Sequence, residues 1–386
     1  MWLIREENTG TMSSTSFEEL MHSARMAEAG AMQVQILDEA IRMADELRDE
    51  ERGYRARFLM IEAATFAGYL EKALIAFSWC LAHRDQLPPE RQSSDLLWRY
   101  KWILGSLPEF PQVPLERIEL LFEDFERRLV QRGLSLRPVR YLRFRVALKM
   151  GHHEVADRLL NEWSHLDRDW LADCQACETH ALVWYHAQHG QLEKALRISQ
   201  PLWSGKLSCT TVPQQTFATL LLPLVQAGQL DQAEEAYRKV RRKIDGKRNH
   251  VDDVSLCLIY ATGLHHSAAL IKALERHWPL LDDHIVELSS LRLFQASALI
   301  FERFASRKAR QRRVVLPAHF SIFNPSHQYR PVDLADWFHQ ESARLANRFD
   351  TRNQNSWETD QFQHWQRLLQ TLPEPTNVSD HSAEPS

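Results

Sequence analysis

Three cysteines carry the clearest chemistry in this sequence. In LADCQACETH, residues 171–180, Cys174 and Cys177 stand three positions apart at the start of an expected helix, and His180 follows one further step along. Cys209 lies where the next helix of the same kind is expected to begin. Thiolates so placed can bind a borderline-soft cation, so Cys174, Cys177 and Cys209 are the expected ligands of a structural zinc, with Asp173, His180 or a water in the fourth place. Two other readings stay open at this point. Cysteine also packs as a small apolar residue, and a CxxC pair can sense oxidants, although thioredoxin-type chemistry needs a strand–helix context that this stretch lacks. Cys80 and Cys257 fall inside expected helices and read as packing residues.

The elements that position these thiols are marked by glycine. The chain has only 12, and Gly30, Gly68, Gly105, Gly151, Gly190, Gly228 and Gly263 recur at steps of 38, 37, 46, 39, 38 and 35 residues. Five of them open a phrase with Leu or His at +2 and Ala at +5: Gly68-Leu70-Ala73, Gly151-His153-Ala156, Gly190-Leu192-Ala195, Gly228-Leu230-Ala233 and Gly263-His265-Ala268. A glycine ending one helix in the left-handed region, followed by an alanine that lets the second helix approach its partner, describes a helical hairpin. The flanks agree: QTFATLLLPLVQA before Gly228 is apolar over a helical length, and Leu230, Ala233, Tyr237 and Val240 after it follow at steps of three and four. The expected fold is therefore all-α, a right-handed superhelix (an α-solenoid) of about seven hairpins.

The alanine at +5 and aromatic at +9 of Gly68…Ala73…Phe77 and Gly228…Ala233…Tyr237 resemble the second half of a tetratricopeptide repeat. The spacing is longer than the ~34 residues of that repeat, its Trp-Leu-Gly opening is mostly absent, and the Gly105 unit carries the proline-rich insertion SLPEFPQVPLER, so the units are TPR-like. More narrowly, DCQACE, GKLSC, AEEAYRKVRR, ERHWPLLD and LANRFDTRN resemble a bacterial group of tetratricopeptide-type proteins. That resemblance implies a fold and no activity.

In such an array the first helices line a concave face where partners bind. Register six and ten residues before each turn glycine places Arg99, Tyr141, Arg145, His180 and Trp184 on it, a cationic and aromatic stripe able to hold a peptide through carboxylate forks and ring contacts. The expected organisation is an N-terminal segment at 1–15, the repeat array at 16–306, a connector with capping helices at 307–372, and a disordered tail at 373–386. RFDTRN, residues 348–353, reads as a polar helix exit, and His152-His153 and His265-His266 as solvent-facing turn residues. The basic runs Arg238–Arg248 and Arg307–Arg313 read as solvated helix ends, since cations favour the negative end of a helix, and not as a nucleic-acid site.

Composition bounds the remainder. Of 386 residues, 44% are hydrophobic and 25% charged, and the net charge is −4, which leaves no global pull toward nucleic acid or membrane. The absence of a long apolar stretch and an odd five cysteines give the expectation of a cytoplasmic protein with reduced thiols. No glycine-rich phosphate loop, HExxH or GxSxG motif is present, so no catalytic residue is assigned. The leading expectation is a protein- or peptide-binding scaffold or adaptor. A peptide-responsive regulator, similar to bacterial quorum-sensing receptors, and a metal or thiol sensor built on Cys174, Cys177 and Cys209 are the alternatives.

Overall fold

The computed structural model describes residues 16–86, 95–264, 267–281, 285–306 and 311–372. Among them the chain is all-α, with seventeen α-helices and one short antiparallel ladder between β1 (Arg312–Arg313) and β2 (Gln328–Tyr329). No helix of the described residues is long and apolar enough to cross a membrane. The expected segments at 1–15 and 373–386, the pair His265-His266 and residues 307–310 of the second basic run lie outside the described residues. The chain forms two compact units, the first ending at Arg99 and the second beginning at Tyr100.

The first unit contains α1 (Phe17–Met26), α2 (Ala31–Glu46), α3 (Glu50–Ala67), α4 (Leu70–Asp85) and the start of α5 (Asp95–Ser106). Ser16 opens α1 with a capping box: its Oγ accepts from the Glu19 N–H at 3.3 Å, and Glu19 Oε2 accepts from the Ser16 N–H at 2.7 Å. The core is rich in alanine, with Ala24, Ala40, Ala56 and Ala64 fully buried, so α1, α2, α3 and α4 pack closely in sequence.

In the second unit one corner recurs. Helices α7 (Arg137–Lys149) and α8 (His153–Ser164), α9 (Gln175–Gln188) and α10 (Leu192–Trp203), and α11 (Gln214–Gln226) and α12 (Leu230–Ile244) pack as pairs. Their corners are Gly151, Gly190 and Gly228, at φ 75°, 69° and 72°. After each, the next N–H reaches back to a first-helix carbonyl: His152 to Ala147 at 2.9 Å, Gln191 to His186 at 2.8 Å and Gln229 to Leu224 at 2.9 Å. The α3–α4 corner at Gly68 repeats it, with Tyr69 bonding Ala64 at 2.8 Å. This is the glycine-terminated helix end, which satisfies carbonyls that the helix itself cannot. The alanines five positions on, Ala73, Ala156, Ala195 and Ala233, are all fully buried.

Three glycines of the series do other work, and Gly30 does so as the N-cap of α2 at φ 159°. Gly105 lies in the last turn of α5 and Gly263 inside α13 (Val251–Leu264), both without positive φ. A Cβ on Gly263 would come within 2.5 Å of Leu372 Cδ1, so this glycine admits a neighbouring chain segment and makes no corner. Side by side, α9 packs on α11, α11 on α13, and α13 on α15 (Glu287–Ser306).

The C-terminal helices reach further than an end cap. Helix α16 (Pro331–Asn353) packs along α15, joined by an aromatic cluster in which the fully buried Trp278 stacks on Phe338 at 5.5 Å. Beyond it, α17 (Trp357–Thr371) and the turn before it fold back onto the α7–α8 corner. Asn355 Nδ2 donates to the Met150 carbonyl at 2.8 Å, His152 Nε2 sits 2.8 Å from the Asn353 carbonyl, and the Trp357 ring fills the space beside Gly151. His152 and His153 are therefore not solvent-facing as expected: His153 lies edge-on to Trp357 at 4.8 Å and to His189 at 5.1 Å.

Candidate functional site

Cys174 is the N-cap of α9. Its backbone is extended (φ −65°, ψ 152°), and its Sγ takes the place of a capping oxygen, 3.4 Å from the Cys177 N–H. Cys209 arrives from a separate turn, closed by its own N–H donating to the Val212 carbonyl at 2.8 Å. Val212 is buried with Ala176 and Leu202, and Cys177 and Leu207 pack against this small cluster. Burial of one valine thus presses the 209–212 turn onto the first turn of α9. The outcome is convergence: the sulfurs of Cys174, Cys177 and Cys209 lie within 4.8 Å of one another, a group that could hold a metal ion. Tetrahedral zinc at about 2.3 Å from each thiolate separates sulfurs by roughly 3.8 Å. A contraction of about 1 Å at most closes the group around an ion.

Several buried charges hold the approach to α9 in place. Arg137, at the start of α7, forks the Glu178 carboxylate at 3.2 and 2.9 Å and donates to the Leu166 carbonyl at 2.6 Å. Arg168 joins the same carboxylate and donates to the Asp173 carbonyl at 2.5 Å. The ammonium of Lys101, buried in α5, reaches the Leu171 carbonyl at 2.6 Å and the Asp173 carboxylate at 3.0 Å. Asp169 accepts from the N–H groups of Ser135 and Leu171, both at 2.9 Å. Lys101, Arg137 and Asp169 were not singled out from the sequence; each works across 30 or more residues, where no local pattern marks it.

Of the donors expected in the fourth place, neither joins the group. Asp173 is engaged by Lys101, whose buried charge it offsets. His180 is buried with Nδ1 3.1 Å from Thr216 Oγ1, and burial, aided by the Arg145 charge, lowers its pKa to about 3, so the ring is neutral. Burial raises the pKa of Cys177, and the neighbouring Cys174 and Cys209 raise it further; burial likewise raises that of Cys209. Both are thiols at neutral pH, and a bound cation would supply the charge that ionises them. Cys80 and Cys257 are buried in α4 and α13, Cys80 with its pKa pushed up to about 12 by burial.

The expected stripe divides. Arg99 belongs to the first compact unit, where its Nε donates to the Phe58 carbonyl and its Nη2 to Glu62 Oε2, both at 3.0 Å, with the guanidinium 3.5 Å over the Phe58 ring. Tyr141, Arg145, His180 and Trp184 lie in the second unit on α7 and α9. His180 and Trp184 stack with ring centres 6.5 Å apart, and the Arg145 guanidinium lies 5.7 Å from the Tyr141 ring. Among the described residues Arg145 has no hydrogen bond or ion pair; the carboxyl groups of Asp173 and Glu109 are its acidic neighbours. Among the described residues the buried Tyr141 hydroxyl likewise has no partner. This part of the stripe shares α7 and α9 with the Arg137–Glu178 pair that steadies the first turn of α9.

Other candidates are internally engaged. A cavity of about 530 Å³ lies between residues 111–116 and 347–354. Its Arg348 pairs with Glu287, and its Arg352 donates to the carbonyls of Pro108, Phe110 and Val113 at 2.7, 3.0 and 3.2 Å. On α12, Arg238 and Lys239 pair with Glu234 and Glu235 at 3.2 and 2.9 Å, and Arg248 donates to the Leu280 carbonyl at 3.0 Å. No protein-family model matches the chain, and no curated protein is significantly similar to it.

Proposed function

We propose that the chain is a TPR-like helical-repeat scaffold, its hairpins forming an α-solenoid, that binds an acidic protein or peptide segment at Tyr141, Arg145, His180 and Trp184. One observation carries this reading: the Arg145 guanidinium has no hydrogen bond or ion pair among the described residues and lies 5.7 Å from the ring of Tyr141, whose buried hydroxyl has no partner among them either. Buried polar groups are nearly always paired in native proteins, and an orphaned one costs about 1–3 kcal/mol. A ligand that pairs the hydroxyl recovers that cost on binding. Arginine also forks carboxylates in a plane, and aromatic rings beside it supply contact area.

The test is a photo-crosslinking residue placed at Trp184 in the native host, with the same residue at the exposed Leu120 on α6 (Leu115–Gln131) as control. The reading expects a crosslinked partner from position 184 that is lost in Arg145→Ala. Capture that is equal from both positions, or indifferent to Arg145, would contradict it. A second reading, a metal or thiol sensor, is favoured by the convergence of Cys174, Cys177 and Cys209.

A further inference from the structure

We propose that Cys174, Cys177 and Cys209 bind one zinc ion through three thiolates, and that its fourth position takes a carboxylate from outside the chain, steadied by Arg145. The inference rests on the sensor reading above and goes beyond it by naming the metal, the open position and the class of ligand.

Three observations lead there. The sulfurs need little movement to enclose an ion, and an all-thiolate set with tetrahedral spacing suits zinc. The group ends at three: Asp173 is tied to Lys101, His180 to Thr216, and among the described residues no further histidine or carboxylate completes it. Cys174 and Cys209 are exposed, so the remaining position is open to solvent. Three protein ligands and an exchangeable fourth is the pattern of zinc sites that handle external ligands, whereas structural sites are closed by four.

Charge decides which ligand enters. Loading converts three thiols and Zn²⁺ into a tri-thiolate centre of charge −1, with three protons released to solvent. A carboxylate bound to it brings the charge to −2, which is unfavourable without a nearby cation. Arg145 is that cation. It lies on α7, the helix whose Arg137 grips Glu178 in the first turn of α9, it has no hydrogen bond or ion pair among the described residues, and a guanidinium can hold the carboxylate oxygen that the metal does not. The Tyr141 ring lies 5.7 Å from this guanidinium.

The experiment is an optical titration of the full-length reduced protein with Co²⁺ in place of zinc, followed by N-acetylglycine and, in parallel, its uncharged amide. The proposal expects one Co²⁺ per chain with thiolate-to-metal charge-transfer absorption, lost in Cys209→Ser while circular dichroism stays unchanged. It further expects N-acetylglycine, and not the amide, to alter the ligand-field bands, with the carboxylate affinity at least about tenfold weaker in Arg145→Ala and part of it recovered in Arg145→Lys. Failure to bind Co²⁺ would sink the sensor reading and this inference together. Binding of Co²⁺ with ligand-field bands indifferent to N-acetylglycine would overturn the inference alone, leaving a closed structural metal.

Discussion

Arg145 and Arg352 invite comparison: both are arginines on helices of the second unit, and both fell within stretches that looked polar enough to be sites. Arg352 makes three hydrogen bonds to carbonyls of the proline-rich segment 108–113 and a fourth to Asn353 Oδ1 at 2.6 Å. Asp350 beside it accepts from the N–H groups of Glu358 and Thr359 at 2.8 and 3.2 Å, starting α17. Most bonds of that cluster finish some other part of the backbone. Around Arg145 the balance is reversed: among the described residues its guanidinium has no hydrogen bond or ion pair, and the buried hydroxyl of the neighbouring Tyr141 has no partner. Residue type does not separate a clamp from a site; the inventory of partners does.

The comparison can be broken most easily at the clamp. Gly151 sits at φ 75° with the Trp357 ring where a Cβ would be, its nearest atom 2.4 Å away. Gly151→Ala combines left-handed strain with displacement of α17, and we expect a loss of about 3 kcal/mol or more in urea unfolding. Arg352→Ala removes the side-chain donor from the carbonyls of Pro108 and Val113 and one of the two donors of Phe110, for an expected loss of about 3 kcal/mol by the same measurement. Wild-type stability in either variant would mean that α17 is not held as described.

Acid probes groups that are satisfied only when neutral. His277 is buried with Nδ1 2.7 Å from the Ala273 carbonyl, so that nitrogen carries the proton, while Nε2 accepts from the Gly246 N–H at 3.0 Å. Burial lowers its pKa, against the opposing pull of Ala273 and Asp245. The unfolded chain therefore binds this proton first, as pH falls through about 6.5. Stability is complete above that pH and declines below it by up to about 1.4 kcal/mol per pH unit until the folded-state pKa is reached. His277→Gln, which keeps an acceptor for Gly246, is expected to flatten the decline in melting temperature between pH 7 and pH 5; an unchanged slope would count against the assignment. The smallest effect belongs to the site: Arg145→Ala is expected to change stability by less than about 1 kcal/mol, because it breaks no internal bond. A loss as large as that at Arg352 would show that Arg145 has a structural partner after all.

Much of this architecture was legible where conformation itself demands a residue type. Gly68, Gly151, Gly190 and Gly228 announce corners because left-handed backbone tolerates little else, and their alanines at +5 announce close helix pairs. Gly105 and Gly263 fit the same spacing for other reasons, and spacing alone cannot tell a corner from a close approach. The convergence of Cys209 on Cys174 and Cys177 followed from the adjacency of α9 and α11, which the repeat pattern implies. Arg99 and Arg145 looked alike in register; the difference lies in Glu62, which occupies the same register one unit earlier and pairs with Arg99. The return of α16 and α17 to residues 108–113 and 150–152 had no local sign, because its contacts join backbone carbonyls some 200 residues away to side chains of ordinary appearance.

The most direct test of the account is a native mass spectrum of the full-length protein, purified under reducing conditions without chelator. A species heavier than the bare chain by one zinc ion less its displaced protons, absent in Cys209→Ser, is the result expected. Bare chain alone, with its thiols reduced and able to bind no added zinc, would contradict it.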